Sequence, residues 1–580
     1  MISELDFPSA TGRLRYGFSN PVAILVARSL NEVATVIARA EHLADRGLWV
    51  TGLVSYEAAP AFDAAFRVRQ VDGAVPLAVF AAYTAPDAIV ATAKRAGDAA
   101  CGPWRMTTSR ADFDAGIAAI GNSIADGDYY QLNFTTRLRA TFAGDSRAFF
   151  HALCAAQPDA YCARLDGGDW QVLSVSPELF FEWTPDRQLI TRPMKGTAAR
   201  HTDADADAQA AQELSASAKE RAENLMIVDL LRNDLSRIAE TGSVQVPKLF
   251  EVEALPTAWQ MTSTVSCKTR SDVGLVDVFR GLFPCGSVTG APKVAAMRAI
   301  AALEDSPRGA YCGAIGLIRP GGHALFSVGI RTVRINGRGE AECGIGSGIT
   351  ADSTANGEYA EWLIKRRFLL RASASFELLE TLLLRAGEYW LLARHMARQQ
   401  DGAEHFGFTL DRQRVHAALE QLAAQHPTGA WRVRLLVDRH GAVRTECKEL
   451  GQQLSEVSVV IATAPIDSTC ESLYYKTTAR DVYAPHASCA PGIFDTLLFN
   501  ERDEITEFTK GNVVVELEGR RVTPPISCGL LPGVLRAEML AKGEVTERII
   551  TRADLGRVTG LWFVNSVRGM IPARLASHSC

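Results

Sequence analysis

Paired cysteines, long apolar runs and a basic surplus are all missing from this sequence, and each absence argues against a class of function. The 12 cysteines are scattered with no C-x-x-C pair, which disfavours a structural zinc site or a dithiol redox centre and leaves them as reduced thiols of core and surface. Apolar runs such as VSVVIATA fall far short of the roughly 20 residues a membrane helix needs. The opening MISELDFPSATGRLRYG holds two acids and no apolar core of a signal peptide, so a soluble, cytoplasmic protein is expected. Basic residues number 61 against 66 acidic ones, a net charge of -5, and the densest basic cluster is only Lys365, Arg366 and Arg367. That is not the footprint of a nucleic-acid binder. With neither nucleic acid nor membrane expected as partner, small-molecule chemistry is the starting point.

What is present is ample core material. A chain of 580 residues, 47% hydrophobic, exceeds the roughly 250–300 at which single cores stop growing, so two or more domains are expected. Residues 1–100 mix strand-like runs (PVAILVA, GLWVTGLVSYEA) with a helical stretch (NEVATVIARAEHLA) and hold no catalytic cluster, which reads as scaffold. From 105 to 367, amphipathic segments (FDAGIAAIGNSIADG, SAKERAENLMIVDLLRNDL) alternate with short apolar runs (WQVLSVSPELFFEW, YCGAIGLI, ALFSVGIRTV), the pattern of mixed sheet and helix in an α+β fold. LLRASASF, residues 368–375, interrupts it and is expected as a linker. A new α+β unit then begins with FELLETLLLRAGEYWLLARHMAR, which reads as strand, turn at Gly387, strand and helix. The Ala/Asp-rich stretch 202–211 reads as a solvated loop or a helix start.

Two acidic pairs stand out. Glu220 and Glu223 share one face of a helix expected over 217–231, and Glu358 with Glu361 shares a face of a second, with Lys365 one turn on. Carboxylates without His or Cys suit Mg²⁺, which takes one or two of them plus waters and substrate oxygens; solvated helix faces are the plainer alternative. The runs GSVTGAPK (286–293) and ECGIGSGIT (342–350) offer backbone N–H groups that can approach an anion, each leading toward a helical pattern. An acidic organic substrate fits both features.

In order along residues 105–367 stand YYQLNFT, SVSPELFFE, RPMKGT, KERAENLMIVDLLRNDL, FPCGSVTGAPK, GAYCGAIG, SVGIRT, GIGSGI and NGEYAEW. This series resembles the chorismate-utilising enzymes, the anthranilate, aminodeoxychorismate, isochorismate and salicylate synthases, whose fold is of mixed and antiparallel sheets with surrounding helices. The resemblance implies Mg²⁺ mainly on Glu223 and Glu361, with Glu220 and Glu358 in support. It further implies chorismate held by Gln131, Thr289, Tyr311, Arg331, Lys365 and the backbone of Gly344, Gly346, Ser347 and Gly348.

Two positions separate reactions within that family. Lys195 stands where relatives making anthranilate or isochorismate usually have alanine and where aminodeoxychorismate synthases have lysine. There it would attack C2 of the ring as the C4 hydroxyl leaves, before ammonia enters at C4 and expels it. Such a lysine must be neutral to attack, so Lys195 is expected to be desolvated. Gln131 stands where water-using relatives carry a lysine base; glutamine cannot deprotonate water, which points to ammonia as nucleophile. Glu178 matches the general acid for the departing oxygen and needs a raised pKa. Gln260 replaces a histidine common in anthranilate synthases, a difference read as subfamily. No glutaminase module is evident, so ammonia is expected from a separate amidotransferase subunit or from solution.

The remainder, with FELLET, HMAR, WRVRLLVDRHG, YYKTTARDVY, DTLLFNERDEITEFTKGNV, TPPISCGLLPGVLR and FVNSVRGM in order, resembles the class IV pyridoxal phosphate fold of aminotransferases and aminodeoxychorismate lyase. That cofactor needs a lysine to hold it, an acid facing its ring nitrogen and a phosphate cup. The resemblance implies Lys476, Glu507 and Arg398 for these roles, with Asn512, Ser566 and the backbone at Val534 and Leu535 at the phosphate. Leu535 departs from the hydroxyl residue many relatives carry there. Such relatives are commonly dimers, so a homodimer through this part is expected. Together the halves imply a bifunctional aminodeoxychorismate synthase and lyase making 4-aminobenzoate. The alternatives are a synthase with a true aminotransferase, a synthase with a non-catalytic second module, and an anthranilate synthase-like activity.

Overall fold

The computed structural model describes every residue except 10–11, 71–72, 74, 88–98, 200–203, 255–257, 374–375, 407, 440, 453, 469, 488–489 and 577–580. The chain divides into two units, Met1–Ser373 and Ala374–Cys580.

Two ten-stranded sheets form the first unit. One runs, in spatial order, through Gly290–Ala291, Gln131–Gly144, Glu340–Ile349, Thr332–Asn336, Trp170–Ser176, Tyr161–Asp166, Ile2–Ser9 and Gly12–Phe18. The other runs through Met194–Ala199, Ala258–Lys268, Gln188–Arg192, Leu179–Trp183, Ala324–Val328, Ala314–Ile318, Trp49–Val54, Ala78–Tyr83 and Ala23–Ala27. Leu5, Phe7 and Phe18 of the first meet Leu53, Val79, Ile315 and Leu317 of the second in one core, so the sheets pack face to face. Helices Leu30–Asp45, Ala218–Ser236 and Leu275–Leu282 cover one outer face, and Arg110–Ala125, Ser146–Ala156 and Ala355–Lys365 the other. Being covered on both faces explains why AVFAAY and AIGLI are buried throughout instead of alternating.

Residues 1–100, expected as scaffold, contribute strands to both sheets: Ile2–Ser9 pairs with Tyr161–Asp166 and Trp49–Val54 with Ala314–Ile318. The expected linker is helical over Arg367–Ala372, with Phe368 and Leu369 buried, because its apolar residues cover the core beside Ser146–Ala156; its residues 374–375 lie outside the described residues. The glycine run 344–348 lies in the strand Glu340–Ile349, paired throughout with Gln131–Gly144. The stretch at 202–211 is helical from Ala204.

Two crossings of the chain from one sheet to the other lie beside each other. SVSPELFFEW leaves the first sheet at Ser176 and enters the second at Leu179, while ALFSVGIRTV leaves the second at Val328 and returns to the first at Thr332. The crossings are tied together by Val328 N–H to Glu178 O and Val175 N–H to Arg331 O, each 3.1 Å. A buried network braces the loop 286–289 nearby. Arg308 pairs with Glu304 at 2.6 Å and donates to the carbonyls of Val288 and Asn133, and Arg137 approaches Glu304 at 3.5 Å. Burial disfavours the Glu304 carboxylate, but Arg308 and Arg137 outweigh it and hold the group below its ordinary range.

In the second unit, a four-stranded antiparallel sheet (Glu388–Tyr389, Leu378–Arg385, Ala430–Val437, Val443–Glu449) carries helices Leu392–Phe406 and Arg412–Gln425. An eight-stranded sheet closes on itself where Ile505–Phe508 pairs with Gly511–Leu517, and mixes parallel with antiparallel pairs. The strand, turn, strand and helix expected from 376 onward form as Leu378–Arg385, Glu388–Tyr389 and Leu392–Phe406, with Gly387 at φ 79° in the turn. Among the described residues no helix is long and apolar enough to cross a membrane.

Removing the one acid of the braced network leaves two buried guanidiniums uncompensated. Glu304→Gln is therefore expected to cost about 3–5 kcal/mol, read as a lower denaturation midpoint for the first unit; an unchanged midpoint would show that the network is not structural.

Candidate active sites

Glu178 sits in the first crossing and Arg331 in the second, so the backbone ties between the crossings fix both residues where strands pass from one sheet to the other. Glu178 is buried and accepts a 2.7 Å hydrogen bond from Ser287 Oγ, with Cys285 Sγ at 3.8 Å. Burial pushes its carboxyl up to about 7, against the opposing pull of Ser287 and Lys195. It can thus hold a proton near neutrality. Ser287 was not among the residues singled out from sequence, although it lies in the quoted GSVTGAPK.

Lys195 begins the strand segment Met194–Ala199, and its ammonium interacts with Glu178, Glu220, Glu223 and Glu361. It is half-buried, not sealed from water as expected, because it lies between the sheet edge and the acidic helices. A Cβ added at Gly348 would collide with the Gln131 amide and come within 2.9 Å of Lys195 Nζ, so these three residues converge on one point. Gln131 is buried there with its amide oxygen unpartnered among the described residues. Gln260, read from sequence as a subfamily difference, has a mechanical part: its amide donates to Gly196 O at 2.6 Å and accepts from Thr197 Oγ1 at 3.0 Å, pinning the turn after Lys195.

The acidic helices form as Ala218–Ser236 and Ala355–Lys365. Burial, with Glu361 and Glu358 adding repulsion, raises Glu220; burial and Glu220 raise Glu223. Glu361 pairs with Lys365 at 2.6 Å, and Glu358 accepts from Ser353 while its other oxygen is buried without a partner among the described residues. Among the described residues no three His, Cys, Asp or Glu side chains close on a metal by themselves. Mutually repelling carboxylates with an orphaned oxygen nevertheless fit Mg²⁺, which needs only one or two protein carboxylates when substrate supplies the rest.

The expected substrate contacts divide in two. Arg331 has no acidic partner among the described residues; burial and neighbouring Arg371 push it down to about 10, the signature of a cation awaiting an anion. Tyr311 is buried with its ring under Arg137, and Lys365 Nζ donates to Gly346 O at 2.8 Å. Two of the side chains face the fold: Thr289 turns its hydroxyl to Cys285 O, and Ser347 accepts from Trp362 Nε1. At Gly344 and Gly346 a Cβ would collide with Tyr311 and Thr135. Residues 344–348 lie in the paired strand Glu340–Ile349, which motif order alone does not reveal.

In the second unit Lys476 is half-buried, its carbonyl accepting from Leu379 N–H. Burial, with Arg398 and Arg480 nearby, pushes its amine down to about 7. Burial likewise lifts Glu507 to about 7 although Tyr483 donates to it at 2.7 Å. Tyr483 is a second group the sequence reading left without a role. Arg398 is gripped by both oxygens of Glu380, at 2.9 and 2.6 Å, and donates to Pro532 O. Val534 and Leu535 open the helix Val534–Ala541, so their N–H groups point from a helix start suited to phosphate, while the Leu535 side chain joins an apolar cluster. Asn512 turns its amide N–H groups to Glu507 and Leu531 O, while its Oδ1 lies where a Cβ at Gly533 would fall, beside the helix start at Val534. Ser566 lies buried beside the strand Gly560–Asn565. A desolvated lysine, a buried acid, a clamped arginine and a helix start fit pyridoxal phosphate.

Residues 9–371 match the chorismate binding enzyme family, and residues 377–576 match the class IV amino-transferase family. Aminodeoxychorismate synthase component 1 of Salmonella typhimurium is 41% identical over 258 residues, 44% of this chain and 56% of that protein. Anthranilate synthase component 1 of Streptomyces coelicolor is 37% identical over 270 residues, 46% of this chain and 52% of that protein. The chain thus spans little more than half the length of these curated relatives. The menaquinone-specific isochorismate synthase MenF of Escherichia coli shares the fold at 18% identity, with a TM-score of 0.51 over 64% of this chain and 89% of that one.

If Lys476 is the lysine that holds the cofactor, cofactor-free protein titrated with pyridoxal phosphate should develop a near-visible absorbance that Lys476→Ala lacks. The same band in the variant would assign the role to another lysine.

Proposed function

This chain belongs to the family of chorismate binding enzymes, and from that premise we propose that it converts chorismate to 4-aminobenzoate, amination in the first unit being followed by pyruvate elimination in the second. The observation that carries the reading is the convergence of Lys195, Gln131 and Gly348 near Glu178, whose carboxyl burial raises to about 7. Lys195 Nζ attacks C2 of chorismate as the C4–O bond breaks, and Glu178 gives its proton to the departing oxygen, which leaves as water. Ammonia then forms the C4–N bond and expels the lysine from C2, yielding 4-amino-4-deoxychorismate. Gln131 offers an amide oxygen to an N–H donor and has no basicity with which to activate water, which favours amination over hydroxylation. Arg331 takes a substrate carboxylate. Glu223 and Glu361, supported by Glu220 and Glu358, would hold Mg²⁺, whose charge offsets a second carboxylate. The ammonia source on this reading is a separate amidotransferase, in keeping with the component 1 relatives.

In the second step pyridoxal phosphate, when bound, supplies an electron sink. Glu507, steadied by Tyr483 and Asn512, would face its ring nitrogen, and Arg398 with the N–H groups at 534–535 would hold its phosphate. Lys476, its amine lowered to about 7, would hold the cofactor, yield it to the substrate amine and move the proton that accompanies pyruvate loss. Aromatisation of the ring drives the step. The soluble, cytoplasmic setting and a homodimer through the second unit belong to the same reading.

Purified protein given chorismate, ammonia, Mg²⁺ and pyridoxal phosphate should release 4-aminobenzoate and pyruvate together without an added amino acceptor; anthranilate, or a requirement for an oxo acid, would refute the scheme. Because Glu178 acts in its protonated form, amination should fall by up to about tenfold per pH unit above its pKa near 7. Ser287 favours the charged form, so Ser287→Ala should move that descending limb to higher pH; a limb that stays put or moves lower would take the proton-donor role from Glu178.

A further inference from the structure

A cavity of about 610 Å³ in the second unit has no part in the chemistry above, and its size falls within the roughly 300–1,000 Å³ usual for small-molecule sites. Its walls bring Arg385 and Trp390, at the end of the strand Leu378–Arg385 and its hairpin, opposite Val567 and Arg568, with Leu454 and Glu388 at the sides. Among the described residues neither guanidinium has an acidic partner, and two positive charges face the single negative charge of Glu388. Tyr389 also lines the cavity, but its hydroxyl donates to Leu419 O, leaving its ring to offer. Planar guanidiniums beside exposed aromatic surface make a recognition set for a carboxylate attached to a ring. Plain amino acids would leave that surface unused.

The strand Leu378–Arg385 connects the neighbourhood of the reacting lysine with this cavity. Leu379 N–H donates to Lys476 O at 2.9 Å, and Leu383 and Arg385, further along the same strand, line the cavity. Four strand steps lead from Leu379 to Leu383, about 13 Å at roughly 3.3 Å per residue. From the opposite wall Arg568 follows Ser566 by two residues.

We propose that this cavity is a carboxylate subsite for a ring-bearing organic acid, Arg385 and Arg568 taking the carboxylate while Trp390, Tyr389 and Leu454 cover the ring. Only the identity of that acid rests on the function proposed above: the substrate and the product of the second step both carry a ring carboxylate. Calorimetric titration of the full-length, pyridoxal phosphate-loaded protein with 4-aminobenzoate, and with aniline, which lacks the carboxylate, tests it. Arg385→Gln and Arg568→Gln should each weaken 4-aminobenzoate about tenfold or more, leave aniline unchanged and preserve cofactor absorbance, while Arg568→Lys retains part of the affinity. Elimination kinetics on 4-amino-4-deoxychorismate identify the source: a raised KM with kcat kept assigns the subsite to substrate, and an unchanged KM with weaker product binding assigns it to product. Unaltered 4-aminobenzoate affinity in both glutamine variants, or affinity lost only in Arg331→Gln of the first unit, would overturn the proposal. A protein that binds 4-aminobenzoate through these arginines yet never releases pyruvate would sink the lyase reading and leave the subsite standing.

Discussion

Two backbone hydrogen bonds between neighbouring sheet crossings, Val328 N–H to Glu178 O and Val175 N–H to Arg331 O, are the constraint on which the first site depends. A strand that leaves one sheet for another must turn where neither sheet supplies partners, and here each turn supplies the other's. The result is a rigid place for two groups that water would otherwise solvate. Arg331 adopts φ 49° there, a left-handed conformation rare for a side chain of its size and kept by the surrounding pairing. The Arg308–Glu304–Arg137 network does for the loop 286–289 what the crossings do for Glu178. Ser287 consequently meets the carboxyl from the far side.

Desolvation is the common electrostatic device. Glu178, Lys476 and Glu507 all reach about 7 chiefly by burial, from opposite starting points for acid and amine. Each can therefore exchange a proton at ordinary pH, the requirement of an acid, an amine that must be neutral, and a partner for a ring nitrogen. Lys195 is built differently: half-buried as Lys476 is, it lies among the carboxylates of Glu178, Glu223 and Glu361, whereas Lys476 has Arg398 and Arg480 for neighbours.

Much of this was legible in the sequence because chemistry-bearing residues lay in short contiguous motifs. Glu220 with Glu223 and Glu358 with Glu361 declared their helices through spacing, and the break before 376 marked the second unit. What the sequence concealed is non-local. SVSPELFFEW looks like one apolar run, and nothing in it announces that its halves belong to different sheets. The glycines of GIGSG offered backbone N–H groups to an anion; the fold also needs them small, because in the paired strand a Cβ at 344 or 346 would collide with Tyr311 or Thr135. Ser287, Tyr483 and Gln260 were hidden for a related reason: each acts on a residue many positions away, and a hydroxyl or amide has no periodicity to give it away. Asn512 shows the converse, a residue in a telling motif whose amide serves a neighbour.

The covalent role of Lys195 is the centre of the account, and peptide mass spectrometry of protein quenched during turnover with chorismate and Mg²⁺ in limiting ammonia addresses it directly. The expected result is an adduct of chorismate less one water on the peptide holding Lys195. An unmodified Lys195 during active amination, or the same adduct on another residue, would contradict it.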